Sequence, residues 1–420
     1  MKKRNRLGVV LLGFGMIFSI FSGGVEAKQV DDVQSAKEEI RVFIKGPSEE
    51  LSNAKKKYNQ RRSFGNEGFS TTISSEEFEE LSKNKNLQVE KIPIVTIAQV
   101  SPTTKATVAA VPSTRVPWGI KAIYNDTTIT STSGGSGIKV AVLDTGTTAS
   151  HIDLSANVEQ CKDFTISTTY VDNSCTDRNG HGTHVSGTIL ANGGSDGLGI
   201  YGVAPQAKLW AYKVLGDGGS GYSDDIAAAI RHAADQSVST GSKVIVSMSL
   251  GSSIKDSLIA SAVDYAYGKG VLVIAAAGNS GPSPNTINYP GALVNAVGVA
   301  ALENVQENGT YRVANFSSRG NPSTAGDYVI HERDIEVSAP GASIESTWLN
   351  GGYNTISGTS MATPHISGLA AKIWSSNTSL TNTQLRSQLQ TKAITYDIKG
   401  GIGSGTGDDY SSGFGFPRVK

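Results

Sequence analysis

The chain has 420 residues, 38% of them hydrophobic, enough for two or three domains with a sizeable buried core. Its 37 basic side chains balance 37 acidic ones, so nothing in the charge points to a nucleic-acid partner. Residues 1–111 hold 17 basic and 13 acidic side chains, leaving 20 and 24 for residues 112–420, so the first part is the more highly charged per residue and reads as a separate unit.

Lys2, Lys3, Arg4 and Arg6 precede an apolar run at 7–21, and Val25-Glu26-Ala27 gives a small-x-small cleavage pattern. This predicts a secretory signal peptide at 1–27, with an apolar run short for a membrane span. No later stretch of 18 apolar residues occurs, so the expected product is secreted, soluble and free of the membrane. Residues 28–111 read as a small α+β domain. Residues 40–44 alternate as a strand, 49–58 and 76–81 are helical, and 89–100 is further strand. Residues 101–114 read as an exposed linker, a natural cleavage zone.

From Val116 the pattern becomes strand, loop, helix, repeated. Apolar, β-branched runs at 138–143, 208–214, 243–248 and 271–276 predict strands. A helix covers 226–234, with Ser223 as its cap and Asp224 and Asp225 in its first turn. Such alternation predicts parallel strands joined by crossover helices in a three-layer α/β architecture, with the chemistry at the carboxyl ends of the strands. Cys161 and Cys175 are the two cysteines. In an oxidising compartment they are expected to pair, with two free thiols as the alternative. Closing so short a loop stabilises by about 3 kcal/mol in the chain-entropy treatment.

Four polar residues stand where such a sheet presents its chemistry. Asp144 ends a strand and precedes Thr145-Gly146, a place from which a carboxylate can orient an imidazole; a turn aspartate is the plainer reading. An aspartic-protease reading needs a second Asp-[Ser/Thr]-Gly, which the chain lacks. His181 lies in Asn179-Gly180-His181-Gly182-Thr183-His184, where flanking glycines let a substrate approach. His184 follows at the wrong spacing, and without the glutamate, for a zinc helix, and reads as a packed histidine. Asn279, in Ala277-Gly278-Asn279-Ser280-Gly281, could donate its amide to an oxyanion or simply make a turn. Ser360, in Ser357-Gly358-Thr359-Ser360-Met361-Ala362-Thr363-Pro364-His365, opens a helix with Pro364 in its first turn; alone it would read as a helix cap.

The order Asp144, His181, Ser360, each with its own flanking motif, resembles that of the subtilisin family of secreted serine proteases. The likeness runs from Val116-Pro117-Trp118-Gly119-Ile120 to Gly415-Phe416-Pro417-Arg418-Val419, and the glycine-rich loops and cysteine pair are similar to those of cold-active Bacillus subtilisins. The resemblance implies a subtilisin-like catalytic domain at 112–420, preceded by a propeptide at 28–111 that assists folding and inhibits. It implies Ser360 as nucleophile, His181 as general base and then acid, Asp144 as orienting carboxylate, and Asn279 with the Ser360 N–H as oxyanion hole. Protein or peptide substrates are implied to lie against Ser249-Leu250-Gly251 and Gly219-Ser220-Gly221. Ala276 and Gly278 would line the pocket for the residue before the scissile bond, narrowed by Asn288, giving a preference for medium or large uncharged residues. A structural calcium ion is implied at Asp153 and the loop carrying Asn192, Asp196, Leu198 and Ile200. The enzyme is expected to be a monomer. The rival expectations are a catalytically silent binding protein of the same fold, and a metal hydrolase built on His181, His184 and Asp153.

Overall fold

The computed structural model describes residues 38–100, 108–166 and 168–420, and a run of alternating apolar residues opens its first element. The signal-peptide segment 1–27 lies outside the described residues, and among those described no helix is long and apolar enough to cross a membrane. The first elements are β1 (Glu39–Lys45), α1 (Ser48–Lys57), β2 (Arg62–Ser63), β3 (Phe69–Ser74), α2 (Ser75–Leu81) and β4 (Gln88–Lys91). They form an antiparallel sheet in the order β2-β3-β1-β4. Val42, Ile44, Leu51, Phe69 and Ile73 close a small core of their own between sheet and helices. Ser74 and Glu77 make a reciprocal capping box at the start of α2.

The strand predicted at 89–100 breaks at Pro93, whose nitrogen cannot donate to a ladder. Beyond the break β5 (Ile94–Ile97) enters a second, three-stranded sheet.

The larger part follows with α3 (Trp118–Tyr124), β6 (Ile138–Asp144), β7 (Val158–Asp163), β8 (Val171–Asp172), α4 (His181–Leu190), β9 (Lys208–Lys213), β10 (Ser220–Tyr222), α5 (Ser223–Thr240), β11 (Lys243–Met248), β12 (Leu250–Gly251), α6 (Ser257–Gly268) and β13 (Leu272–Ala276). It ends with β14 (Ala296–Glu307), β15 (Thr310–Val313), β16 (Val337–Pro340), β17 (Ile344–Thr347), β18 (Tyr353–Ile356), α7 (Thr359–Ser376) and α8 (Asn382–Thr395). The central sheet runs β15-β14-β13-β11-β6-β9-β7-β8, with β16 also on β14. Its interior pairs are parallel, and antiparallel β15 and β8 close its edges.

Both faces of this sheet are covered, which is why its strands read as continuous apolar runs. In β6, Val140 and Val142 pack with Val185 of α4 and Met361 of α7, while Ala141 and Leu143 pack with Ile226 of α5 and Val263 of α6. This is the three-layer α/β architecture read from the sequence. Strand order reverses around β6, so crevices open at the carboxyl ends of β6, β11 and β13.

The predicted serine cap of α5 is corrected. Tyr222 occupies the cap position and Ser223 is the first helical residue. The Ser223 N–H donates to Pro93 O at 3.1 Å, and the carboxylates of Asp224 and Asp225 face arginines from the N-terminal sheet.

Candidate active site

Asp144 is the last residue of β6 and is wholly buried. Its Oδ1 accepts from Thr145 N at 2.7 Å and from His181 Nδ1 at 2.8 Å. His181 is the first residue of α4, also wholly buried, and its Nε2 has no hydrogen-bond partner. With the proton on Nδ1, Nε2 carries a free lone pair. Gly180 sets up the helix start at φ +102°, and a Cβ there would sit 2.5 Å from the Trp348 ring. Asp177 fixes the same turn. Its Oδ1 accepts from Gly180 N and Thr145 Oγ1, and its Oδ2 from Thr183 N and Oγ1. Asp177 was not singled out from the sequence, because an aspartate in a turn four residues before a helix is common.

Ser360 is the second residue of α7, and Gly358 holds the cap position without a side-chain bond, so Ser360 is not a helix cap. The Ser360 hydroxyl donates to Ser249 O at 2.9 Å, and Ser249 Oγ donates to Ser360 O at 2.8 Å. The second bond corrects the placement of Pro364, which sits in the second turn. Its missing N–H would have bonded to Ser360 O, and Ser249 supplies that hydrogen bond instead. No hydrogen bond joins Ser360 Oγ to His181 Nε2 in this arrangement. Helices α4 and α7, which carry the two residues, pack against each other.

Asn279 follows β13. Its Oδ1 accepts from Thr359 N at 3.0 Å and Thr359 Oγ1 at 3.1 Å, and the same hydroxyl accepts from Gly278 N at 3.0 Å. A Cβ built on Gly358 would lie 3.3 Å from Asn279 Nδ2 and 2.5 Å from Ala98 O. The amide nitrogen and that carbonyl therefore face one point. Thr359 was not singled out from the sequence, because its partner lies 80 positions away.

A strand of the chain itself, β5, lies between the two segments expected to hold an extended peptide. β5 pairs antiparallel with β10 on one side and with β12 on the other. Ile97 N donates to Gly219 O, Ala98 N to Ser249 O at 3.1 Å, Ser360 N to Ala98 O at 3.1 Å, and Val100 N to Ser357 O at 2.9 Å. Thr96 lies across from both Ser220 and Gly251, Val95 from Gly221, and Ile97 from Leu250. Asn288 stands between the walls of the neighbouring pocket: Cβ atoms built on Gly278 and Gly251 would meet its side chain at 2.7 and 3.0 Å. Ala276 is fully buried at the end of β13. The Tyr289-Pro290 bond is cis.

Cys161 and Cys175 form the disulfide, tying β7 to the segment that leads into Asp177. His184 Nε2 donates to Ile344 O, 2.9 Å away, and burial holds its pKa down at about 3. It is a packed, neutral ring. Among the described residues no group of three or more His, Cys, Asp or Glu could hold a metal ion.

The Asp153 loop has a different chemistry. Asp153 is buried, its Oδ2 accepts from Ile200 N and Tyr353 Oη, and its Oδ1 has no partner. A Cβ on Gly194 would lie 2.8 Å from both Asp153 Oδ1 and Asp196 Oδ1, so the two carboxylates border one space. Asn192 Oδ1 accepts from Gly194 N, and Ile200 O from Gly193 N. Leu198 offers only its backbone, its side chain being exposed. An orphaned carboxylate oxygen among backbone carbonyls suits a hard cation.

The sequence profile of the subtilase family matches residues 135–415. A relative named "Subtilisin", from Bacillus sp. (strain TA39), is 58% identical over 399 residues, covering 94% of this chain and 95% of its own length. Among solved structures, "Sphericase" is 73% identical with a TM-score of 0.73, matching 74% of this chain and all of its own. "S41 Psychrophilic Protease" is 66% identical with the same TM-score of 0.73 and the same coverage.

Proposed function

The chain belongs to the subtilase family and is a serine protease of that family, and from this premise we propose that it is a secreted endopeptidase acting through Ser360, His181 and Asp144. The carrying observation is the buried 2.8 Å contact between His181 Nδ1 and Asp144 Oδ1, with Nε2 left unpaired on a helix packed against α7. In this reading Ser360 Oγ exchanges its bond to Ser249 O for one to His181 Nε2. Ser360 Oγ then attacks the carbonyl carbon, His181 takes its proton and returns it to the departing amine, and water releases the acyl-enzyme. Asp144 holds the ring and stabilises it when charged. The Ser360 N–H and Asn279 Nδ2 stabilise the oxyanion; the position of Ala98 O, 3.1 Å from Ser360 N, supports this assignment.

Substrates bind as a strand between β10 and β12, a mode in which backbone bonds supply affinity for many sequences. No charged side chain stands among Ala276, Gly278 and Asn288, so uncharged residues of medium or large size are preferred before the scissile bond. Residues 28–111 act as the propeptide, an intramolecular inhibitor whose β5 fills the groove, and residues 112–420 as the catalytic domain. Export by way of the 1–27 signal peptide places the enzyme outside the cell. Asp153 and Asp196 would hold a calcium ion together with oxygens of Asn192, Leu198 and Ile200. When bound it supplies charge neutralisation at Asp153 and cross-links the loop.

Casein hydrolysis tests the reading. A serine-directed sulfonyl fluoride or Ser360→Ala is expected to abolish it, and a zinc-selective chelator to leave it unchanged; survival of activity in Ser360→Ala overturns the assignment. Calcium removal is read separately, as a fall in melting temperature of the inhibited enzyme that added calcium reverses.

A further inference from the structure

The segment seated in the groove is not the segment expected to be the cleavage zone. Ala98 N–H donates to Ser249 O and Ala98 O accepts the Ser360 N–H, so its carbonyl carbon is the one presented to the serine. The chain then continues without a break across the site, and Val100 N–H is caught by Ser357 O on the far side of the bond. Upstream, Val95 is buried at 1% exposure and Ile97 side-chain atoms lie about Gly219, so the strand fills the groove on the amino side as well.

Of the expected zone at 101–114, residues 101–107 lie outside the described residues, and 109–114 are engaged elsewhere. Ala109 exchanges two backbone hydrogen bonds with Tyr353 of β18, at 2.9 and 2.8 Å. Ser113 N donates to Glu345 of β17 at 2.7 Å, and Tyr201 N donates to Arg115 O at 2.8 Å. These bonds already build residues from 109 onward into the larger part of the fold while the groove is filled by 94–98.

We propose that maturation takes two different cuts: an intramolecular first cut at Ala98-Gln99, and a second cut within 109–114 made by another molecule. The inference rests on the proposed serine-protease reading and names that site's first substrate. In the first cut Ser360 Oγ bonds to the Ala98 carbonyl carbon and the Ala98–Gln99 C–N bond breaks. The Gln99 amine leaves with the proton held by His181, and water then frees the Ala98 carboxylate. A small side chain suffices at this position because the strand is delivered by its own chain at high effective concentration. The product, beginning at Gln99, keeps residues 99–108 as an N-terminal extension. Its engaged residues at 109–114 must leave β18 before they can lie in any groove.

The experiment refolds the 28–420 chain at two concentrations tenfold apart and follows intact masses, since an N-terminal glutamine cyclises and resists sequencing by degradation. A 99–420 species is expected first, at a rate independent of concentration. Species beginning within 109–114 are expected later, at a rate rising about tenfold with concentration, as for a bimolecular step. Ala98→Asp, which puts a carboxylate against an uncharged pocket, is expected to slow the first cut by about tenfold or more. A first product beginning within 109–114, or a first-cut rate untouched by Ala98→Asp, overturns the proposal while casein hydrolysis by the final product leaves the protease reading standing. Absence of both self-cleavage and casein hydrolysis overturns the two together.

Discussion

Asn279 is held by its oxygen, which leaves its nitrogen free to serve. Two donors from Thr359 fix Oδ1, and Nδ2 is thereby turned toward Gly358 and the Ala98 carbonyl. Asn279→Ala is expected to lower kcat by about 10²–10³ with KM nearly unchanged, a magnitude taken from the oxyanion asparagine of a subtilisin. Steady-state kinetics on a peptide anilide check it, and an unchanged kcat removes Asn279 from the oxyanion hole. Asn288 acts on specificity. Because its side chain presses on the positions a Cβ would take at Gly278 and Gly251, Asn288→Gly enlarges the pocket. The kcat/KM ratio for Phe over Ala before the scissile bond is expected to rise about tenfold, the scale set by a few methylenes of pocket volume. Asp144, His181, Asn279 and Ser360 were legible as candidates because each is a polar type suited to catalysis at a strand or helix end, with a glycine within two positions. Thr359 and Asp177 were not, since a threonine or aspartate in a turn is common and their partners are fixed only by the fold. The reciprocal bonds between Ser249 and Ser360 were equally hidden, and they are what lets Pro364 stand in the second turn of α7.

Elements declare themselves in sequence to the extent that their burial is regular. Strands β6, β9, β11 and β13 are buried on both faces and match the apolar runs to within a residue or so. β14 escaped notice because Ala296 to Leu302 are buried whereas Glu303 to Glu307 leave the core, so no single period describes it. α8 is mostly polar, and its buried face sets a charge, Arg386, beside Leu385 and Leu389. That guanidinium reaches Glu336 beside β16 at 2.6 Å, both side chains being under 10% exposed. Glu336→Ala leaves the buried cation without its partner and is expected to cost about 3–5 kcal/mol, read from urea unfolding of an inactive Ser360→Ala chain. A second ionic cluster binds the N-terminal sheet to α5. Asp225 receives Arg41 at 2.9 Å, Arg61 at 3.0 Å and Arg62 at 2.7 Å, while Asp224 takes Arg41 and Ser70. Arginines spread over residues 41–62 gave no hint of converging, because only the fold of β1, β2 and their connection brings them together. Asp225→Ala in the Ser360→Ala chain is expected to expose residues 39–97 to an added protease at distinctly lower urea; unchanged resistance would assign the hold to β5 and its groove alone.

For the whole molecule the consequence of so much burial is a dependence on pH. His184 and His365 are fully buried on α4 and α7, and desolvation holds their pKa values down at about 3 and about 4. A depressed imidazole binds fewer protons folded than unfolded, so its contribution is present above pH ~6.5 and is lost as pH falls toward the folded value. Two such groups give a slope of about 3 kcal/mol per pH unit once both unfolded rings are protonating. Asp409 acts the other way: burial pushes its carboxyl up to about 6, so the folded chain binds its proton first and gains stability as pH falls from there toward the ordinary aspartate range. His232 on α5 is held down at about 4 by burial as well, so of three such losses between pH ~6 and ~4 Asp409 offsets one, and these four groups together give a net fall of about 3 kcal/mol per unit. Urea unfolding of the Ser360→Ala chain across this range measures it without self-digestion. His365→Gln, which keeps a polar group of similar reach and removes the titration, is expected to lower the slope between pH ~6 and ~4 by about 1.4 kcal/mol per unit. A slope equally steep with and without His365 would mean that this ring takes up its proton in the folded core, and that the packing of α7 against the sheet tolerates a charge there.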